Sequence, residues 1–270
     1  MNFQDRIVWI TGASSGIGEA VANAFHKSGA KLILSARRED ELKRVQAACG
    51  GEPNTRVLPL DVSRGEELAG RAREALAIFG RIDFLVLNAG ISQRSLARDT
   101  DESVYRRLME VNFFGPEAIT RAVLPSMLER KSGHIVVISS LAGRFGVPLR
   151  SGYSATKFAL HGFYEALRAE EARNGIRVTI VCPGFIRTDI SLSALKGDGS
   201  KHAKMDADLA RGMPVEECAR QILNAIAREK EDVTIGAPRE KMLVYMKRFL
   251  PGLLTRVVAS RRPSPARSGR

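Results

Sequence analysis

Eight residues near the start of the chain, Thr11-Gly-Ala-Ser-Ser-Gly-Ile-Gly18, constrain its fold more than any other stretch. They stand between an apolar strand-like run, Arg6-Ile-Val-Trp-Ile10, and a segment of helical character over about 16–29. Glycines at a strand-to-helix turn let the backbone approach a pyrophosphate. The start of the helix adds unpaired N–H groups and a positive dipole end. Gly12, Gly16 and Gly18 follow a T-G-x-x-x-G-x-G spacing and not the G-x-G-x-x-G dinucleotide fingerprint. Turn glycines alone are as readily structural as functional, so the motif needs support from elsewhere.

The rest of the chain repeats the same strand-then-helix pattern. Apolar runs at 6–11, 31–36, 55–60, 83–88, 134–139, 176–182 and 232–236 alternate with helical stretches. This predicts an α/β fold: a single doubly wound, Rossmann-type parallel sheet with helices on both faces. With 270 residues, 44% of them hydrophobic, and no interior linker or repeat, one core is expected. Cys49, Cys182 and Cys218 are far apart and odd in number, which argues against a disulfide framework and a metal site and for a reduced, intracellular protein. The histidines His26, His134, His161 and His202 lack ligand spacing and are expected at the surface or in supporting roles.

A second constellation lies downstream. Ser140 closes the strand-like run from His134, and Tyr153 and Lys157 stand four residues apart on a helix expected over about 151–173. An ammonium beside a phenol favours the phenolate, so Lys157 is expected to pull Tyr153 below its ordinary range of about 10. Such a tyrosine exchanges a proton with an alcohol or carbonyl oxygen near neutral pH, and Ser140 can hydrogen-bond that oxygen. A lone Tyr-x-x-x-Lys arises by chance on solvated helix faces. Its weight comes from occurring with the glycine turn.

Together with Leu87-Asn-Ala-Gly90, Asn112 in Val-Asn-Phe-Phe-Gly, and Pro183-Gly-Phe-Ile-Arg-Thr188, these motifs resemble the short-chain dehydrogenase/reductase superfamily from about residue 5 to 235. The runs from Gly115 to Met127 and from Ser139 to Gly143 resemble its lipid- and steroid-directed carbonyl reductases, among them the dehydrogenase/reductase member 7B group and the 11-beta-hydroxysteroid dehydrogenases. The resemblance implies a nicotinamide dinucleotide cradled by Gly12, Ser14, Ser15, Gly16, Ile17 and Gly18. It places Asp61, Val62, Asn88, Ala89 and Gly90 around the adenosine, Tyr153 and Lys157 at the nicotinamide ribose, and Pro183, Gly184, Ile186 and Thr188 at the carboxamide. Asp61 also reads as a turn or helix cap before Ser63. Tyr153 is implied as general acid, with Ser140 polarising the carbonyl. Asn112, inside a helix expected over about 102–130, is implied to hold a water. That water completes a relay from solvent through Lys157, a ribose hydroxyl and Tyr153 to the substrate.

The second strand ends Ser-Ala-Arg-Arg38, with Ala36 where an NAD-binding acid would stand and Arg37 next to it. An arginine can pair with a 2′-phosphate, so NADP(H) is the expected cofactor and Arg38 the solvated neighbour. Residues 189–213 match the superfamily's variable substrate lid, mixing Ile190, Leu192, Leu195 and Met205 with Lys196, Lys201, His202 and Lys204. The basic group is read as lid surface. The expected reaction moves hydride between NADP(H) and the carbonyl or alcohol of an apolar, lipid-like or steroid-like small molecule. A non-catalytic dinucleotide sensor or scaffold on the same fold is the rival reading.

Net charge is +12, but residues 239–270 hold nine Lys/Arg against Glu240, which is +8 and leaves +4 for the first 238. The chain therefore divides into a catalytic domain, 1–238, and a basic, partly apolar extension, 239–270. Without an aromatic-interleaved basic face, nucleic acid is excluded as a partner. The extension is expected to pack over the cleft or a subunit interface, with Arg261–Arg270 disordered. The alternative is a peripheral contact with anionic membrane through 241–258. A first strand within a few residues of Met1 and no apolar run of ~18–20 residues lead to the expectation of a soluble, cytoplasmic enzyme. The family resemblance implies a homodimer or homotetramer.

Overall fold

The computed structural model describes residues 3–260. Residues 261–270, for which disorder was expected, lie outside the described residues. Seven strands form one sheet: β1 (Ile7–Thr11), β2 (Lys31–Ser35), β3 (Thr55–Val57), β4 (Phe84–Leu87), β5 (Gly133–Ile138), β6 (Ile176–Pro183) and β7 (Asp232–Ile235). Their order is β3-β2-β1-β4-β5-β6-β7, and every pairing is parallel. The expected runs all become strands. The third shortens because Pro59 has no N–H to give the ladder, although Leu58 and Leu60 still donate to Leu34 and Ala36.

Helices α1 (Gly16–Lys27), α2 (Glu39–Ala48) and α8 (Val215–Ala227) cover one face of the sheet. Helices α3 (Gly65–Phe79), α5 (Gly115–Glu129) and α6 (Ser151–Glu171) cover the other. The period of two in β1 distributes its side chains accordingly. Val8 and Ile10 join Val21, Phe25 and Leu223, while Ile7 and Trp9 join Leu68, Ile119 and Tyr164. Because both faces are buried, the strands read as unbroken apolar runs.

Between α4 (Glu102–Met109) and α5 the helix changes register for one turn: Glu110–Phe114 is a π-turn. The single helix expected over 102–130 is therefore continuous in path but not in bonding. Pro116 explains the change, since it has no N–H to offer the Asn112 carbonyl four residues back. Toward the end of the chain lie the short α7 (Ala207–Ala210), then α9 (Pro238–Phe249) and α10 (Pro251–Ala259). No helix among the described residues is long and apolar enough to cross a membrane.

The winding starts at β1, runs outward through β2 and β3, and returns to β4 on the other side of β1, so the strand order reverses between β1 and β4. Helices leave in opposite directions there and open a crevice beyond the carboxyl ends of the strands.

Candidate active site

The glycine turn closes that crevice from below. Gly12 has φ +68°, and a Cβ on it would lie 2.8 Å from the Ala89 Cα. A Cβ on Gly18 would lie 2.2 Å from the Gly12 carbonyl oxygen, so helix α1 can start this close to the turn only with glycine there. The Asn88 side chain ties the turn to β4, its Nδ2 donating to Thr11 O at 3.2 Å and Gly12 O at 3.0 Å. Thr11 Oγ1 in turn accepts from the Asn88 and Ala89 amides.

Ser15 precedes α1 without a side-chain cap, and the first helical bond runs from Glu19 N to Ser15 O. The amides of Gly16, Ile17 and Gly18 thus keep their donors at the positive end of the helix, with Ile17 on the wall of the cleft. Arg38 adds a cation: its Nη2 reaches Ser14 Oγ at 3.3 Å and Ser15 Oγ at 3.4 Å. Arg38 is exposed, as expected of a solvated neighbour, and also reaches the turn. Arg37 is exposed at the same strand end. Asp61 Oδ1 accepts from the Ser63 amide and hydroxyl, which is the turn role. Burial opposes its ionisation, but the Ser63 bonds with Arg107 and Arg37 outweigh it and hold the carboxyl below the usual range. A free anion-binding helix end, an adjacent cation and a backbone kept bare by glycine suit a dinucleotide's phosphates.

One cleft of about 710 Å³ joins this end to the chemistry. Ile17, Asn88 and Gly90 line it, as do Ser140, Tyr153 and Lys157, and Pro183, Gly184, Ile186 and Thr188. Gly12, Ser14, Ser15, Gly16, Gly18, Arg37, Asp61, Val62, Ala89 and Asn112 stand outside the lining. Val62 is buried, its carbonyl packed where a Cβ on Gly115 would fall.

The catalytic set assembles from β5, α6 and the π-turn. Ser140 Oγ accepts from the Ala142 amide at 3.1 Å, which leaves its own hydrogen for Tyr153 or a substrate oxygen. Tyr153 does not behave as expected. Burial raises its phenol above the ordinary range, against the pull of a Ser140 hydrogen bond and of Arg150 and Arg94. Lys157 is not among the dominant influences. Its Nζ donates to Ile138 O at 2.8 Å and sits 5.7 Å from the Tyr153 ring centroid. Burial lowers the Lys157 ammonium to about 8. Desolvation of both groups outweighs the effect of their i, i+4 proximity.

Asn112 is 1% exposed and fully engaged. Its Oδ1 accepts from Ile91 N at 2.8 Å, while Nδ2 donates to Ile91 O and to Thr156 Oγ1. The side chain thus pins the loop after β4 to α6, next to Lys157. Pro116 has no N–H to give the Asn112 carbonyl.

Several residues in the site had no signal in the sequence. Gln93 is completely buried, and its Oε1 accepts from the Gly152 and Tyr153 amides, capping α6 where the tyrosine starts. Arg94, Arg150 and Asp206 line the cleft near it. The lid is less apolar inward than expected. Only Ile190 of the four residues named lines the cleft; Leu192 and Met205 are exposed, and Leu195 pairs with Gln93. The third wall comes from the extension: Leu243 and Leu254 are buried against Leu141 and Phe145, and Leu243, Val257 and Val258 face the cleft. The packing alternative expected for 239–260 is the one seen.

His134 and His161 are buried, against the surface alternative. His161, Glu165 and Asp232 bring three potential ligand atoms within 4.8 Å, but Arg144 already pairs with the Asp232 carboxylate. All three cysteines are buried free thiols.

A doubly wound sheet carrying an anion-ready glycine turn and a Ser/Tyr/Lys set in one cleft defines a dinucleotide-dependent oxidoreductase. The chain belongs to the short chain dehydrogenase family, whose model matches residues 6–198. It is 42% identical over 267 residues to dehydrogenase/reductase SDR family member 7B of Danio rerio, spanning 96% of this chain and 86% of that one. Its fold matches a Burkholderia cenocepacia short chain dehydrogenase solved with NADP at TM-score 0.80 and 25% identity, covering 97% and 100% of the two chains. A Burkholderia phymatum family member solved with NAD superimposes at TM-score 0.82 with 23% identity, covering 100% of both.

Proposed function

We propose that this chain transfers hydride between NADP(H) and the carbonyl or alcohol carbon of a predominantly apolar molecule. The observation that carries the reading is the composition of the cleft. The Ser140/Tyr153/Lys157 set shares its cleft with Leu141, Phe145, Val147, Leu209, Leu243 and Val258. A ketone on a hydrocarbon body suits that combination, since apolar walls favour desolvation of the body and leave one oxygen to be read by donors.

Tyr153 holds the proton that a carbonyl oxygen receives, and Ser140 offers that oxygen its free hydroxyl hydrogen. Lys157, at about 8, gains or loses a proton near neutrality and so serves as the store behind the tyrosine. The Asn112 carbonyl offers a water a place beside it. The dinucleotide, when bound, supplies the hydride chemistry. Its phosphates would be held by the Gly12–Gly18 turn, its adenosine by Asp61 and Asn88, and its nicotinamide side by Ile186 and Thr188. Ala36, Arg37 and Arg38 follow β2, so a 2′-phosphate there would find two guanidiniums and no carboxylate at the position of Ala36. The NADP bound by the Burkholderia cenocepacia protein supports the same choice.

Loss of NADPH absorbance against a panel of ketones, quinones and steroids tests the reading. Turnover is expected with apolar ketones. Tight NADPH binding with silence across the panel would favour the sensor instead.

The outer face of α9–α10 supports a membrane-surface location for this chemistry. Met242, Tyr245, Phe249, Leu250 and Leu253 are exposed, Phe249 by 72%, among Lys241, Lys247, Arg248 and Arg256. Glu240, the one acid of these helices, turns inward to the Ala237 amide. Apolar side chains rimmed by cations match an anionic bilayer surface. Full-length protein should sediment with phosphatidylserine vesicles at low salt, and Tyr245→Ser/Phe249→Ser should stay in the supernatant. Equal recovery of both in the supernatant would remove this location.

A further inference from the structure

Three charged side chains that the chemistry above does not use meet at the edge of the cleft. Arg94 follows β4, Arg150 stands just before α6, and Asp206 belongs to the lid, residues 189–213. Asp206 Oδ2 accepts from Arg94 Nε at 2.9 Å, from Arg94 Nη2 at 2.5 Å and from Arg150 Nη2 at 3.0 Å. Arg94 is satisfied throughout, because its Nη1 also donates to Ser92 Oγ and Gln93 O. Arg150 gives one nitrogen to a carboxylate that Arg94 already holds in a two-pronged grip. With His202 kept below its ordinary range, chiefly by burial, the cluster sums to one uncompensated positive charge.

The location gives that charge a use. Arg94, Arg150 and Asp206 line the same cleft as Tyr153, and both guanidiniums act on the phenol through their fields. The other groups facing Tyr153 are Lys157 on α6, Ser140 after β5 and Cys182 in β6, with Asp208 and Glu240 lining the same cleft. None of them moves with the lid except Asp208. The lid is joined to the loop after β4 by backbone bonds, Leu195 N to Ser92 O and Arg94 N to Leu195 O, but its one ionic attachment there is Asp206.

We propose that Asp206 is a positioning residue that latches the lid through Arg94 and Arg150 and thereby sets how much positive charge Tyr153 faces. With the lid down, one of the two guanidinium charges is cancelled and the tyrosine keeps the proton it must donate. With the lid up, both guanidiniums face the phenol uncompensated and make its ionisation easier. Closure of the lid then tightens the phenol's hold on its proton, and opening it loosens that hold. This rests on the reading of Tyr153 as proton donor.

The test needs no turnover. The chain holds four tyrosines, so [13Cζ]tyrosine labelling yields four resonances, with Tyr153 assigned by its loss in Tyr153→Phe. Asp206→Asn should move the Tyr153 titration to lower pH by about one unit, and Arg150→Gln should move it up by a similar amount. Asp206→Glu should restore the wild-type midpoint. Hydrogen exchange within 189–213 should rise about tenfold in Asp206→Asn. Arg150→Gln leaves the tighter Arg94–Asp206 pair in place, so it reads the field even if Asp206→Asn does not fold. A Tyr153 midpoint unmoved in both variants, shifts of the same sign in both, or unchanged lid exchange would each overturn the proposal. Silence in the ketone screen would remove the reductase reading while leaving these shifts to be measured, so the two failures are distinguishable.

Discussion

The two edges of the sheet bury polar groups to opposite ends. At the amino edge, Asp83 accepts from Ile7 N at 2.9 Å, from Arg81 Nε and from Arg130 Nη1. Beside it His134 Nε2 meets Thr179 Oγ1 at 2.8 Å, and that hydroxyl donates to Lys230 O, so the imidazole must be the donor to threonine. Each group is answered from within the chain. At the carboxyl edge the accounts stay open: helix α1 begins with free amides, and Arg150 uses one nitrogen of three. A closed network stabilises and does nothing else, whereas donors without partners are what a ligand can use.

The comparison is broken most severely by Tyr153→Phe. Turnover should fall by ~10²–10⁴-fold, because the ring remains and only the proton donor is lost. The thermal midpoint should stay near wild type, and a variant that retains most of its rate would end the proposed mechanism. Asp83→Ala should do the reverse. Removing one partner from a buried ionic set leaves Arg130 uncompensated and costs about 3 kcal/mol, read by urea unfolding. The rate per folded molecule should not change; a large loss of rate would show that the amino edge is not merely structural.

Arg37→Ala sharpens the contrast within the carboxyl edge. Losing a charge-assisted bond should weaken NADPH by about 10–100-fold while leaving NADH nearly untouched, as measured by fluorescence titration. Wild-type protein that binds both equally would sink the assignment. The smallest effect concerns pH. Burial depresses His134 to about 4, so the unfolded chain binds the extra proton first as pH falls below about 6.5. The stabilisation is fully present above that value and is lost progressively toward pH 4. About 1 kcal/mol should disappear between pH 7 and pH 5.5 and be absent from the pH dependence of His134→Gln, followed by urea midpoints.

The sheet and the cofactor turn were legible because both are local. Strand runs are contiguous, and glycines at a turn announce a backbone requirement in a handful of residues. The grouping of Tyr153 with Lys157 was legible for the same reason, since they share one helix face. Its electrostatics were not. Desolvation depends on what covers a group, and the covering residues come from β5, the lid and the extension. Gln93, Arg150 and Asp206 were invisible on similar grounds: Arg94 and Arg150 meet Asp206 across 112 and 56 residues, with no periodicity to suggest it. The π-turn could have been read from Asn112 and Pro116 together, since a proline four residues past an asparagine removes one particular helical bond.

The wall made by Leu243, Val257 and Val258 also separates two inheritances within one cleft. The proposed chemistry is written in the turn, after β5 and in α6; part of the cleft's apolar wall is written in a helix pair that follows the last strand. During synthesis Tyr153 and the glycine turn emerge well before this part of the wall. Substitutions along α9 and α10 can therefore reshape the cleft without altering Ser140, Tyr153 or Lys157.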